Sequence, residues 1–286
     1  MQHFQFYSAK SISDALHFLS EKGDRTKIIA GGTDLIPRLR QENFLPDFVL
    51  NVLEIERLKG ITELDHTSRI GATTPHTQLV ESGLLQRNCP SLVQAAASIG
   101  GPLIRNRGTI GGNIANASPA ADLVPVLLAL DAEVVLMSEK GTRMVALKDF
   151  FTGPGKTLLN PDELLVEISF PLPKGENIFM KLGRRRAMSL SIVNVAVCLE
   201  MEGRNCRDAK IAMGSVAATP IRFPQAENLL RDKEIGPELI AKCAGEAMAM
   251  SKPIDDQRAK AWYRRQAGEI LLKRALFQAA GLFPPP

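Results

Sequence analysis

The sequence predicts an α+β protein divided into a larger N-terminal domain and a smaller C-terminal α/β domain. Three observations lead to this prediction. A chain of 286 residues has room for about two domains of roughly 150 residues each. Short β-rich runs and helical patterns recur along its whole length. The segment PLPKGEN at 171–177 holds two prolines and a glycine, which is typical of a linker. We therefore expect domains at 1–173 and 174–286.

The N-terminal domain combines short strands with helices. Ser11 or Ser13 can cap the first helix. Ser118 is predicted to cap a helix over 118–130 with Pro119 in its first turn, because both residue types are favoured at those positions. Further helices are expected at 76–85 and 91–98, and strands at 27–30, 48–52, 69–72, 132–138 and 164–170.

The C-terminal domain is predicted to begin with strands and to end with two helices. The strands are expected at 179–182, 191–201 and 209–213, and the helices near 237–250 and 256–280. Trp262 and Tyr263 fit the apolar stripe of the last helix. We interpret these two aromatic residues as core packing and not as a ligand site.

Composition excludes several classes of function. The net charge is +4 and the basic residues are scattered, so a nucleic-acid partner is not expected. No run approaches the ~18 consecutive apolar residues of a membrane span, and the N-terminus is too polar for a signal peptide. Four cysteines lie far apart without C-x-x-C spacing, so they form neither a zinc nor a cluster site. Reduced thiols and a cytoplasmic location are expected.

Two glycine pairs carry the strongest functional signal. The apolar run before A single pair is usually a turn that needs positive φ. Two similar pairs predict a different role, because glycine lets a ligand approach backbone N–H groups that can bind an anion. Two such loops fit a diphosphate better than a single phosphate.

Polar residues beside the glycines extend this prediction to a dinucleotide-like ligand. Neutral hydrogen-bonding groups are available from Thr33, Thr109, Asn113, Asn116 and Ser118. The carboxylates of Asp34 and Asp122 would repel a phosphate, so we expect them to accept from a ribose or ribityl hydroxyl or from a ring N–H. The alternative for Asp122 is a solvated carboxylate in a first helical turn.

Other catalytic patterns are missing. No G-x-G-x-x-G follows a strand. The stretch FTGPGKT at 151–157 is similar to a phosphate-binding P-loop, but Phe150 stands where that motif requires glycine. The four histidines, which include His76, have no cysteine or carboxylate constellation around them in the sequence and are expected at the surface. The chain therefore lacks acid–base machinery of its own, and a cofactor would have to supply the chemistry.

Four stretches together resemble a known family. They are IIAGGTDL (28–35), GGPLIRNRGTIGGNIANASPAADLVPVLLALDAEVVL (100–136), DELLVEISFP (162–171) and KLGRRRAMSLSIVN (181–194). In this order they are similar to the FAD-binding medium subunit of the molybdenum hydroxylases, which include xanthine, nicotinate and aerobic carbon monoxide dehydrogenases. The resemblance implies a two-lobed FAD-binding domain of the vanillyl-alcohol-oxidase (PCMH) type, with lobes at about 1–55 and 56–173. A C-terminal domain of the CO dehydrogenase flavoprotein type would follow.

The resemblance also implies an FAD site. A first diphosphate loop would be formed by Ile28, Ile29, Ala30, Gly31, Gly32, Thr33, Asp34 and Leu35. A second would be formed by Thr109, Ile110, Gly111, Gly112 and Asn113. The rest of the cofactor would contact Gly100, Asn116, Ser118, Asp122, Leu165 and Lys181. Without the family pattern, Leu165 is simply strand core and Lys181 a solvated charge.

The implied function is electron transfer within a complex. A large molybdopterin subunit would hydroxylate the substrate, a small subunit with two [2Fe–2S] clusters would relay electrons, and FAD would pass them to an acceptor such as NAD(P)⁺. The acceptor stays open between NAD⁺, NADP⁺, a quinone, ferredoxin and oxygen. The xanthine or nicotinate dehydrogenase subgroup is favoured. Arg184, Arg185 and Arg186 could meet an anionic acceptor or could form a solvated turn. A stand-alone FAD oxidoreductase and a non-catalytic assembly protein are the alternatives.

Overall fold

A small parallel sheet forms the first lobe. The computed structural model describes residues 4–41, 46–185 and 187–282. The lobe contains β1 (Gln5–Ser8), α1 (Ile12–Lys22), β2 (Thr26–Ile29), α2 (Leu35–Arg40) and β3 (Phe48–Asn51). The strand order is β1-β3-β2, and both pairings are parallel. The carboxyl ends of parallel strands meet at one edge, which is where open α/β sheets bind ligands. The first glycine pair follows β2 at this edge.

An antiparallel sheet and a set of short helices form the second lobe. Its sheet has the order β4-β5-β10-β6-β7. The strands are β4 (Ile61–Leu64), β5 (Thr67–Gly71), β6 (Glu133–Ser138), β7 (Gly141–Ala146), the separate hairpin of β8 (Phe151–Gly153) and β9 (Lys156–Thr157), and β10 (Leu164–Pro171). The helices are α3 (His76–Glu81), α4 (Gly83–Asn88), α5 (Pro90–Ala97), α6 (Pro102–Arg105), α7 (Ile110–Ala115), α8 (Leu123–Ala129) and α9 (Leu147–Phe150).

The two faces of the antiparallel sheet belong to different cores. On β10, Leu164 and Val166 pack with Leu16 and Leu50 of the first lobe. Ile168, on the same strand, packs with the helices of the second lobe. Alternation of side chains across a strand produces this division. The sheet therefore holds the first lobe on one face and the second-lobe helices on the other.

A second antiparallel sheet forms the C-terminal domain. The strand order is β11-β12-β13-β14, and β15 pairs with β13. These strands are β11 (Glu176–Gly183), β12 (Ser191–Glu202), β13 (Asn205–Gly214), β14 (Ile221–Arg222) and β15 (Lys233–Glu234). The helices α10 (Pro224–Leu230), α11 (Pro237–Met250) and α12 (Ala261–Ala279) follow. Val195 and Ile211 of the sheet share a core with Ile240 and Leu272 of the helices.

Helix α8 joins the two domains. All seven of its residues are buried, and its hydrophobic cluster includes Phe179, Ala196 and Ala212 of the C-terminal sheet. A helix that is apolar on every side needs partners all round. The C-terminal domain therefore packs directly against the FAD-domain core.

Most predicted elements are present, with three corrections. The helix expected over 118–130 begins only at Leu123, because residues 118–122 form a turn in which Ser118 Oγ accepts from Ala120 N (3.2 Å). The helix expected at 76–85 is two short helices, and Ser82 caps the second of them. Trp262 and Tyr263 are not core residues, since 64% and 39% of their surfaces are exposed and their rings contact each other edge to face.

Candidate functional site

The first glycine pair forms a turn with free backbone donors. Strand β2 ends at Ile29 and helix α2 starts at Leu35. Gly32 has φ +73°, and its carbonyl accepts from Ile36 N (3.0 Å). Among the described residues, nothing accepts a hydrogen bond from the N–H groups of residues 31–34. Successive unpaired N–H groups before a helix are suited to binding an anion.

The N–H groups of the second segment are already used within the protein. Thr109 caps α7, and its Oγ1 accepts from Gly112 N (3.1 Å) while its carbonyl accepts from Asn113 N (2.9 Å). Ile110 N donates to the Thr74 carbonyl (3.0 Å), and Gly111 N donates to that of Ala72 (2.8 Å). The expectation of free donors thus holds for the first segment and is wrong for the second.

The glycines also have different reasons to lack a side chain. A Cβ on Gly31 would lie 1.9 Å from the carbonyl oxygen of Arg107, and one on Gly111 would lie 2.6 Å from that of Ala72. These two glycines permit contact between protein segments, which sequence reasoning had assigned to ligand approach. Gly112 is exposed, and a Cβ there would meet only Thr109 Oγ1 at 2.9 Å. Gly112 therefore leaves space on the outer surface of the second segment.

The structure brings the two segments together. Asn116 Nδ2 donates to Asp34 Oδ1 (3.2 Å), and Asn116 Oδ1 accepts from Arg38 Nη2 (2.7 Å). The Asn113 side-chain oxygen is buried and has no hydrogen-bond partner among the described residues. A buried polar atom without a partner is costly, so it indicates that a donor from outside the chain belongs there. Sequence reasoning did not identify Arg38.

Asp122 and Lys181 form a buried ion pair between the domains. Lys181 Nζ donates to Asp122 Oδ2 (2.6 Å) and to the Ser98 carbonyl (3.0 Å). Asp122 Oδ1 accepts from Ser191 Oγ (2.5 Å) and Asn194 Nδ2 (2.8 Å). The exposed fractions of the Lys181 and Asp122 side chains are 13% and 6%. The solvated alternatives for both residues are therefore wrong. Ser191 and Asn194 lay within a quoted motif but received no role.

The remaining predicted residues lie in different surroundings. Leu165 is buried at a β-bulge of β10 and packs in the second-lobe core. Gly100, at φ +49°, accepts from Met188 N of the C-terminal domain (3.4 Å). The Arg185 guanidinium donates to the Met188 carbonyl through Nη2 (2.6 Å) and Nε (3.1 Å), which forms an exposed turn. Arg186 lies outside the described residues.

His76 supports the second segment from below. The residue is 3% exposed, its N–H donates to the Gly108 carbonyl (3.0 Å), and its ring would contact any Cβ on Gly108. Burial, reinforced by the nearby Arg105 charge, lowers the pKa of His76 to about 4. The imidazole is therefore neutral at pH 7. The expectation of a surface histidine is wrong, and no local sequence pattern marks it as buried.

Comparison with protein families identifies the chain. Residues 2–173 match the FAD binding domain in molybdopterin dehydrogenase, and residues 178–279 match the CO dehydrogenase flavoprotein C-terminal domain. The chain belongs to the FAD-binding subunits of the molybdenum hydroxylases. The predicted fold class and the prediction of FAD as cofactor are confirmed. This chain is an oxidoreductase subunit.

Similarity to individual relatives extends over nearly the whole chain. The glyceraldehyde dehydrogenase medium chain of Sulfolobus acidocaldarius is 34% identical, with 97% of this chain and 98% of the relative aligned. The xanthine dehydrogenase FAD-binding subunit of Escherichia coli O157:H7 is 32% identical over 96% and 95% of the two chains. A carbon monoxide dehydrogenase structure from Hydrogenophaga pseudoflava superposes with a TM-score of 0.94 at 33% identity, covering 98% of each chain.

The residues present in this FAD-binding subunit fit the cofactor. Free N–H groups at 31–34 suit the diphosphate, and the unpartnered Asn113 oxygen can accept from a cofactor hydroxyl or N–H. In the part of the chain that the structure describes, no group of three or more His, Cys, Asp or Glu side chains could hold a metal ion. No helix within 4–41, 46–185 and 187–282 is both long and apolar enough to cross a membrane.

Proposed function

We propose that this FAD-binding subunit holds FAD between its two glycine segments and passes electrons from an iron–sulfur partner to NAD(P)⁺. The observation that carries the proposal is the row of unpaired N–H groups at 31–34, joined to the second segment through Asp34 and Asn116. Bound FAD can accept electrons singly and release them as a pair, which links one-electron clusters to a hydride acceptor.

The diphosphate binds to the first segment. Its N–H groups face the anion without giving up protein hydrogen bonds, and the α2 N-terminus adds a favourable partial charge. The second segment contributes side chains and surface shape, because its own N–H groups are already bonded. Gly112 leaves space for close approach, and Asn113 supplies the unpartnered oxygen.

The flavin half lies toward the domain junction. Gly100, Leu165 and the pair of Asp122 with Lys181 are the residues that the family resemblance assigns to it. Asp122 already accepts three hydrogen bonds from protein donors, so a carboxylate with about four acceptor sites has room for one further donor. Lys181 holds that carboxylate in place. Ser118 and Asn116 complete the set from the second segment.

The partners are a small [2Fe–2S] subunit and a large molybdopterin subunit, in a heterotrimer. Printed names such as medium chain and FAD-binding subunit describe relatives that are parts of larger enzymes, which supports this assignment. The xanthine or nicotinate dehydrogenase subgroup and a cytoplasmic location belong to the same proposal. So does a domain boundary between residues 173 and 174, which the gap between Pro171 and Glu176 supports.

The test is to purify the chain, record its visible absorption and identify any released cofactor by chromatography. The proposal predicts flavin absorption bands and FAD, and rapid reoxidation of the reduced protein by NAD⁺ or NADP⁺ once the partner chains are present. A folded protein that stays colourless after addition of FAD would contradict the proposal and favour an assembly role. Reduction by an organic substrate without partner chains would favour a stand-alone oxidoreductase.

A further inference from the structure

A cleft opens at the carboxyl edge of the first-lobe sheet, beside the first glycine segment. Its volume is about 650 Å³, which lies within the usual range for small-molecule sites. Ile29 and Ala30 line it where the chain leaves β2, and Lys59 and Arg107 line it from the second lobe. None of the described residues that line this cleft belongs to the C-terminal domain. The cleft is thus continuous with the first segment but lies apart from the Asp122–Lys181 pair.

Phe6 is the large aromatic side chain of this cleft. It lies on β1, and 59% of its surface is exposed. Its neighbour Tyr7 points to the opposite face of the strand, where its ring stacks on Phe18 at 4.7 Å between centroids. Among the described residues, no aromatic ring pairs with Phe6. An exposed ring at the edge of a cleft is the feature that base stacking requires.

The charges of the cleft suit a nucleoside better than another phosphate. Two carboxylates line it, and each is paired with a lysine: Glu54 with Lys10, and Glu56 with Lys59 (2.6 Å). These pairs leave little net positive charge to attract an anion. Carboxylates at such an edge can accept hydrogen bonds from ribose hydroxyls, as they do in other nucleotide sites.

The order of groups along FAD matches the order of these features. The diphosphate lies in the middle of the cofactor, and the free N–H groups at 31–34 directly follow Ala30 of the cleft. The residues assigned to the flavin lie toward the C-terminal domain, where Asp122 and Lys181 contact Ser191 and Asn194. The adenosine half must then extend from the diphosphate in the other direction, toward the cleft.

We propose that this cleft binds the adenosine half of FAD and that the adenine ring stacks on Phe6. The inference rests on the proposed function, because it assumes that the chain holds FAD. It adds a recognition element that the glycine segments lack. The stacking surface distinguishes FAD from FMN, which has no adenosine and ends at its phosphate.

The test compares Phe6→Leu with the unmodified chain by titrating full-length, flavin-free protein with FAD, FMN and ADP. Leucine keeps an apolar side chain but removes the stacking surface. Base stacking of about 1–3 kcal/mol predicts a Kd for FAD that is about 5- to 100-fold higher, because about 1.4 kcal/mol is tenfold in affinity. ADP should lose affinity by the same factor, and the Kd for FMN should stay within about twofold.

Two further variants sharpen the result. Phe6→Trp should retain the affinity for FAD, because it restores an aromatic surface. Phe4→Leu changes another exposed phenylalanine two positions away that does not line the cleft, and it should leave all three ligands unaffected. An unchanged FAD affinity in Phe6→Leu, or equal losses for FAD and FMN, would overturn the proposal. If the unmodified chain bound neither flavin, the proposed function itself would fail, and the adenosine proposal with it.

Discussion

Lys181 Nζ lies 2.6 Å from Asp122 Oδ2 across the junction between the two domains, and both side chains are almost completely buried. The carboxylate stands immediately before α8, and the lysine lies on β11. Ser191 and Asn194 of β12 donate to the second oxygen of the same carboxylate. One buried charge pair therefore fixes the C-terminal domain against the helix that carries the family motif.

Asp122→Asn should lower the free energy of unfolding by about 3–5 kcal/mol, because it leaves Lys181 buried without a compensating charge. Urea unfolding monitored by circular dichroism measures this loss. Asp149→Asn, which breaks the exposed pair with Lys148, should cost less than about 1 kcal/mol. A similarly small effect for both variants would show that the buried pair does not hold the domains together.

Gly31→Ala should destabilise the chain through a protein contact that is independent of any ligand. The new Cβ would lie 1.9 Å from the Arg107 carbonyl oxygen, so one of the two segments has to move. Overpacking of this kind typically costs about 1–3 kcal/mol. Gly153→Ala is the matched control, because no atom lies within 4 Å of its added Cβ. Equal midpoints of thermal unfolding for the two variants would contradict the predicted contact.

Gly112→Val should weaken FAD binding while the chain remains folded. The exposed Gly112 contacts no other segment, so a branched side chain there would occupy the space assigned to the cofactor. We expect a loss of at least about 1.4 kcal/mol, which is tenfold in Kd. Gly245→Val introduces the same side chain at an exposed helical glycine of α11 with open space around it. Retention of full FAD affinity in Gly112→Val would exclude this surface from the site.

Stability should fall on acidification because His76 is buried in its neutral form. Its pKa is about 4 in the folded chain and about 6.5 when exposed, so below pH 6.5 the unfolded state binds more protons. The stabilisation is complete above pH 6.5 and is lost as the pH falls to 4, by about 3 kcal/mol in total. His76→Gln should flatten the stability profile over this interval relative to the unmodified chain. The exposed His66→Asn should leave that slope in place.

Sequence reasoning located the glycine segments because their signal is local. The residues between β2 and α2, and those around Thr109, are adjacent in the chain and require particular residue types. The same reasoning attributed all four glycines to ligand approach, because the Gly31–Arg107 and Gly111–Ala72 contacts join distant parts of the chain. Tertiary partners of this kind leave no mark in the local sequence.

The same limitation explains the errors at the domain junction and in the helices. Asp122 was assigned to the cofactor or to solvent, although its hydrogen-bond donors come from β11 and β12, about 60–70 residues away. The helix over 118–130 was extended too far toward its N-terminus, since Ser118 and Pro119 suit a turn as well as a helix cap. His76 is buried only because 100–108 folds over it.

The most direct test of the central claim is amide hydrogen exchange of the chain with and without FAD. The account predicts rapid exchange at residues 31–34 in the free protein, where the N–H groups lack acceptors, and strong protection when FAD is added. The N–H groups of Gly111 and Gly112 should change much less, because they are already bonded to Ala72 and Thr109. Unchanged exchange at 31–34 in the presence of bound FAD would show that the diphosphate lies elsewhere.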